Sequence, residues 1–343
     1  MKRIFLCALT IGLVSCGVQH QKNVEQADVM EYANTITAQD LKTHLYTFAS
    51  DEFEGREAGE PGQKKAAEYL KAYYKKLNIP SPLGGDDYFQ EVPSSAFRGT
   101  VKPSENVVAF IEGSEKPDEI LIISSHYDHV GMDKDGNVYN GADDDGSGTV
   151  AVLEIAEAFM KAKADGYAPK RSILFLNNTG EEKGLIGSKF YTDHPIFPLS
   201  ETVADLNIDM IGRTDVGNEG NENYVYLIGS DKLSTELHNL SEEVNNKYLN
   251  LELDYTFNDE NDPNRFYYRS DHYNFAKNNI PIIFYFNGVH ADYHKMTDTP
   301  DKIQYDLLAK RAKLVFLTAW EVANRAERPL VDKPVEAPAA ASK

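Results

Sequence analysis

Six short runs rich in β-branched and aromatic residues recur along this chain, with helical segments between them. The runs lie at 106–111, 119–125, 171–177, 203–208, 224–228 and 281–287. Several are almost continuously apolar, which marks strands buried on both faces rather than on one. The helical segments include 63–77, which opens just after Pro61, and 149–163, 232–247, 271–278 and 305–327. Strand alternating with helix predicts an α/β fold with a mostly parallel or mixed central sheet. No internal repeat and no linker interrupts 36–328, so the spacing predicts one domain there. The chain has 343 residues, 41% of them hydrophobic, which suffices for a sizeable core.

The two ends lie outside that domain. Lys2 and Arg3 precede a mostly apolar stretch, Ile4 to Val14, of signal-peptide length and too short to span a bilayer. It ends in Leu13, Val14, Ser15 and Cys16, which resembles a bacterial lipobox. The expectation is a signal peptide over 1–15, lipidation of Cys16, and a polar tether over 16–35. The protein would then be exported and lipid-anchored to the cell envelope, with the outer membrane facing the periplasm as the expected site. The tail 329–343 is rich in Pro and Ala and reads as disordered. Cys7 and Cys16 are the only cysteines, so a cysteine nucleophile and cysteine metal ligands are excluded from the domain. The net charge of −19 argues against a nucleic-acid partner.

The strand ends carry the chemistry. Sites in open α/β sheets form beyond the carboxyl ends of strands. His126 and Asp128 follow one run, Glu181 and Glu182 another and Asp209 a third, while His294 lies shortly after the last. Asp143, Asp144 and Asp145 form a glycine-bracketed triplet before a helix. Three adjacent carboxylates repel one another, and a cation among them explains their presence better than a cap does. Imidazole and carboxylate without thiol fit zinc. Five candidate ligands are too many for one tetrahedral ion with an open position, but suit two ions if a carboxylate bridges. Asp144 is the natural bridge. Asp128, two residues after His126, is expected to hold the second imidazole nitrogen. Taken singly, each feature has a plainer reading as a helix cap, a surface turn or a loop histidine. Asp209, inside an apolar run, is the hardest to read so, because an unpaired buried carboxylate is costly. His129 and His290 are placed near the mouth of the site, His272 in a supporting role, and His44, His194 and His238 at the surface.

The motifs HYD at 126–128, GADDDGSG at 141–148, TGEEKGLIGS at 179–188, NIDM at 207–210 and DYHKMTDTPD at 292–301 occur in order. SDEFEGREAGEPG at 50–62 and SDHYNFAKNNIP at 270–281 join them. With these the chain resembles the dinuclear zinc aminopeptidases of the aminopeptidase Y type, relatives of glutamate carboxypeptidase, over nearly all of 36–328. The resemblance implies helices on both faces of the sheet and two zinc ions. Asp144 would bridge them, with Glu182 and His294 completing one site and His126 and Asp209 the other. It further implies a cis peptide between Asp144 and Asp145, a metal-bridging water, and Glu181 as general base in the hydrolysis of N-terminal residues from peptides. Residues 78–105 are too short for the protease-associated insert that many relatives carry.

Carboxypeptidase or dipeptidase activity on the same core is the sister reading. Glutaminyl cyclases share the fold with one zinc, which the full five-ligand set disfavours, and a non-catalytic binding lipoprotein would have lost ligands or base. The chain has no His-Glu-x-x-His, no Gly-x-Ser-x-Gly and no P-loop.

Overall fold

A computed structural model describes residues 21–335; the expected signal peptide and Cys16 lie outside them. In chain order the elements begin with α1 (Val29–Ala33), α2 (Ala38–Phe48) and α3 (Pro61–Lys76), followed by β1 (Phe89–Val92), β2 (Ser104–Ile111) and β3 (Lys116–His126). A small hairpin, β4 (Gly131–Met132) and β5 (Val138–Tyr139), precedes α4 (Gly148–Ala164), β6 (Arg171–Asn178), α5 (Ile186–Asp193) and β7 (Thr202–Ile208). The rest is β8 (Tyr224–Ile228), α6 (Thr235–Tyr248), β9 (Glu252–Asp254), α7 (His272–Ala276), β10 (Ile282–Phe286) and α8 (Tyr305–Asn324).

Eight strands form one sheet in the order β1-β2-β6-β3-β7-β10-β8-β9. Its centre, β6-β3-β7-β10, is parallel, while β1, β2 and β8 pair antiparallel with a neighbour. All six expected strands are present, with ends shifted by a few residues. The alternation of strand side chains explains the two apolar layers. Leu121 and Ile123 face the larger layer with α2, α3, α4, α6 and α8; Ile120 and Ile122 face the smaller one with Tyr191 of α5 and Phe275 of α7. α4 is buried on nearly all sides because it lies between the sheet and other helices. Among the described residues no helix is long and apolar enough to cross a membrane.

Three expectations need correction. Residues 24–35 are not a free tether: Val24, Val29, Tyr32 and Ala33 are buried, and Tyr32 stacks on Trp320 at 5.8 Å. The folded part therefore reaches back to Val24. The tail is also held at its start, where Leu330 donates its N–H to Glu236 and Asp332 and Lys333 donate theirs to the Leu233 carbonyl. His44 is not a surface residue; it joins Tyr69 at 2.6 Å and the buried Glu154 at 3.3 Å between α2, α3 and α4.

Candidate metal centre

The parallel strands deliver the acids and imidazoles to one edge of the sheet. His126 ends β3, Asp209 follows β7, Glu181 and Glu182 follow β6, and the loop after β10 carries His290 and His294. The turn 142–147, which runs into α4, brings Asp144 between them. His126 Nε2 lies 3.3 Å from Asp144 Oδ1 and 3.6 Å from Asp209 Oδ1. On the other side, His294 Nε2 lies 2.9 Å from Asp144 Oδ2 and 3.1 Å from Glu182 Oε1. All five expected ligands thus converge, and the two oxygens of Asp144 face two different sets. Asp144 Oδ2, Glu182 Oε1 and His294 Nε2 are buried without hydrogen-bond partners. Polar atoms orphaned in this way, turned towards one another, fit a cation that would satisfy them together.

The aspartate triplet divides its work. Asp144 alone faces both ligand sets. Asp145, joined to it by a cis peptide as expected, accepts N–H groups from Gly148, Met210 and His126 at 2.9, 3.1 and 3.3 Å, tying α4 to the ends of β7 and β3. Asp143 accepts the Gly212 N–H at 2.7 Å and faces His290 Nε2 at 3.2 Å. Asp298, not singled out from the sequence, receives the N–H groups of Asp143 and Asp144 at 3.0 and 3.2 Å. Gly141 opens the turn at φ +53°, and a Cβ there would lie 2.3 Å from the Asp144 carbonyl and 2.5 Å from the His129 ring. Only glycine fits both demands.

Asp128 is placed differently from expectation. His126 Nδ1 donates to the backbone carbonyl of Asp128 at 3.1 Å, while the Asp128 carboxylate is 3.8 Å away. The carbonyl, two residues on in an extended segment, reaches the imidazole first. The carboxylate accepts the N–H of Glu181 at 3.2 Å instead, so it fixes that residue's backbone. Asp209 is oriented by the Ser270 hydroxyl at 2.7 Å. His272 sits apart and donates to the Tyr267 carbonyl at 2.8 Å; burial pushes its pKa down to about 3, so it is neutral and structural. His290 is buried against Asp143 rather than exposed at the mouth.

Burial and neighbouring charges push the groups apart. Burial raises Glu181 well above the usual carboxylate range, and Asp209, Glu182 and Asp271 add to it. Burial works in the same direction on Asp144, but the His126 and His294 imidazoles facing its two oxygens overcome it and hold that group well below. Asp144, Glu181 and Asp209 line a small pocket together with Met210, Phe266, Phe284, Phe286 and Val289, with Arg269 and Tyr293 also on its wall.

Arg56 is the residue that sequence reasoning missed most completely. It is fully buried and donates to the carbonyls of Tyr127, Phe48, Asn140 and Gly141 at 2.7–3.2 Å. Burial lowers its pKa to about 10, against the pull of Asp144, Asp298 and Asp128, so it stays charged at neutral pH. Arg56→Met keeps the stem but strands four carbonyls and removes the cation beside those acids. The expected cost is about 3–5 kcal/mol, read as a lower denaturant midpoint; a midpoint within error of wild type would remove Arg56 from this role.

The profile of Peptidase family M28 matches residues 106–319. The chain belongs to peptidase family M28. Leupeptin-inactivating enzyme 1 of Streptomyces exfoliatus is 31% identical to this M28 chain over 186 residues, covering 53% of it and 38% of the relative. Other curated relatives are matched over still less of their length, down to 10%. Among solved structures, the LapA aminopeptidase of Legionella pneumophila superposes with a TM-score of 0.69 at 22% identity, covering 95% of this chain and 81% of that one. BSAP, a zinc aminopeptidase from Bacillus subtilis, gives 0.66 at 16% identity, covering 87% and 98%. The M28 fold of this chain is thereby shared by proteins whose sequences have diverged widely.

Proposed function

We propose that this M28 protein is a zinc-dependent exopeptidase that holds two ions and removes N-terminal residues from peptides. The observation that carries the reading is Asp144, whose two oxygens face separate ligand sets beside a pocket that Glu181 also lines. His126 and Asp209 would hold one ion and Glu182 and His294 the other, with Asp144 shared. Zinc when bound supplies a Lewis acid for the scissile carbonyl and for water.

The remaining steps belong to the chain. Glu181 accepts the proton of the attacking water, helped by its raised pKa, and returns it to the leaving amine. Asp128 holds the Glu181 backbone so that the carboxylate reaches into the pocket. Met210, Phe266, Phe284 and Phe286 receive an apolar side chain and exclude water around it.

The carboxypeptidase reading has one supporting observation: Arg269, exposed on the pocket wall and stacked on Phe266 at 4.9 Å, offers a cation for a free carboxylate. One experiment separates the two. Aminoacyl-p-nitroanilides and N-blocked peptides are assayed before and after zinc chelation and re-addition. Zinc-restored cleavage of free-amine substrates alone, with Leu, Met or Phe favoured over Lys, supports the aminopeptidase. Cleavage of the blocked peptides from the carboxyl end moves the assignment to a carboxypeptidase.

Export and a lipid anchor at Cys16 complete the proposal, supported by the apolar stretch and by Leu13, Val14, Ser15 and Cys16. Cys16→Ser is expected to move the protein from the membrane fraction to the soluble fraction.

A further inference from the structure

Asp205 stands in β7 at a position where the surroundings call for an apolar residue. Its register partners on the flanking parallel strands are Ile122 of β3 and Ile282 of β10, both in the smaller apolar layer with Tyr191 and Phe275. The carboxyl is fully buried. Its Oδ1 meets the Ser124 hydroxyl at 2.7 Å, and its Oδ2 has no hydrogen-bond partner. The titratable groups that face it are Asp271 and the Tyr191 phenol, which is likewise buried without a partner. Neither supplies a positive charge, and a carboxylate buried without one is costly, so the group is held as the neutral acid. Burial pushes its pKa up to about 8 against the pull of the Ser124 hydroxyl, with Asp271 adding to the rise.

A line of buried hydrogen bonds leads from this acid to the metal centre. Ser124 lies opposite Asn207 in the β3–β7 ladder, on the same sheet face as Asp205. Its Oγ is 2.7 Å from Asp205 Oδ1 and 3.1 Å from Asn207 Oδ1. Asn207 Nδ2 donates to Ser270 Oγ at 2.9 Å, and Ser270 donates to Asp209 Oδ2 at 2.7 Å. The proton count sets the direction of the line. Each serine hydroxyl has one proton to give, and that of Ser270 goes to Asp209. Were Asp205 ionised, the Ser124 proton would go to its carboxylate and leave Asn207 Oδ1 without a donor. With Asp205 as the acid, its O–H donates to Ser124, the Ser124 proton turns to Asn207, and every group donates towards Asp209. Hydrogen bonds aligned in this way strengthen one another. We infer that Asp205 is a positioning residue of the metal centre: acting through Ser124, Asn207 and Ser270, it holds Asp209 Oδ2 and so turns Asp209 Oδ1 towards His126 Nε2, 3.6 Å away. The Asn207 amide passes no proton on, so the line orients the ligand rather than conducting charge.

This role rests on the proposed reading of Asp209 as a zinc ligand, and the test separates the two. Zinc affinity is measured by titration of the metal-free wild-type, Asp205→Asn and Asp205→Val proteins, and the visible spectrum of each is recorded after cobalt substitution. Asparagine keeps a donor for Ser124; valine keeps the space filled and removes the donor. Asp205→Val is expected to bind one ion about 10-fold more weakly or worse, to shift the cobalt bands, and to lower kcat with KM little changed. Asp205→Asn is expected to keep the wild-type affinity and spectrum. Wild-type affinity and spectrum in Asp205→Val would overturn the role of Asp205 while leaving the zinc reading intact. Equal losses in the two variants would overturn it as well, because asparagine keeps the donor. A wild-type protein that binds no zinc would overturn both the role and the reading beneath it. Should Asp205→Val fail to fold, Ser124→Ala breaks the same line one step further on; the same weakening supports the role, and wild-type affinity overturns it.

Discussion

Replacing Glu181 by glutamine is expected to leave zinc content at the wild-type level and to lower kcat by about 10²- to 10⁴-fold, the range that general acid–base catalysis supplies. The substitution is nearly isosteric, so it keeps the shape of the pocket. It removes the one property assigned to this side chain, a carboxylate able to take and return a proton. Glu182, next in sequence, is a ligand in the proposed scheme, its Oε1 3.1 Å from His294 Nε2, and cannot exchange roles with its neighbour without giving up that contact. Glu182→Gln should accordingly disturb metal content, whereas Glu181→Gln should not. Zinc analysis beside steady-state kinetics decides it, and near-wild-type turnover in Glu181→Gln would end the assignment.

Asp144→Asn should have a broader effect. An amide offers one good oxygen donor in place of two, and that oxygen cannot serve both ligand sets. On the two-ion reading, zinc is expected to fall from two ions to at most one per chain, with turnover reduced at least about 10³-fold because the centre loses a metal or its geometry. The native fold gains stability from any ion that it binds and the unfolded chain does not. Chelation should therefore lower the Tm of the wild-type protein by several degrees and that of Asp144→Asn by less. Equal shifts in the two proteins would mean that Asp144 is not shared.

Much of this site was legible in the chain because its parts are local in sequence. His126, Glu181, Glu182, Asp209 and the aspartate triplet each follow a strongly apolar run or precede a clear helix, and strand ends gather in space. The supports are not local. Arg56 acts on carbonyls at 48, 127, 140 and 141, and no periodicity announces such a reach. Asp298 caps the triplet from 154 and 155 residues away. The burial of His129 was not legible either, because Glu182, 3.1 Å from its Nδ1, follows another strand. The short β1 and β9 at the sheet's edges are partly polar and carry weak patterns, so they escaped notice. The docking of 24–35 escaped as well, since Val24, Val29 and Tyr32 are too sparse to signal burial without Trp320 across from them. Asp128 illustrates a different limit: spacing placed it beside His126 correctly, but only coordinates distinguish its carbonyl from its carboxylate.

The buried guanidinium of Arg56 also bears on how this protein can be shortened. The region matched by the family profile begins at 106, yet the cation that ties the 140–141 turn to the 48 and 127 carbonyls enters from outside it. A trimmed version starting there would carry all seven residues of the reaction scheme and lack their keystone. Inherited boundaries that follow the catalytic motifs would thus cut away the scaffold that keeps those motifs in register, and a library of truncations should lose soluble protein abruptly once its start point passes residue 56.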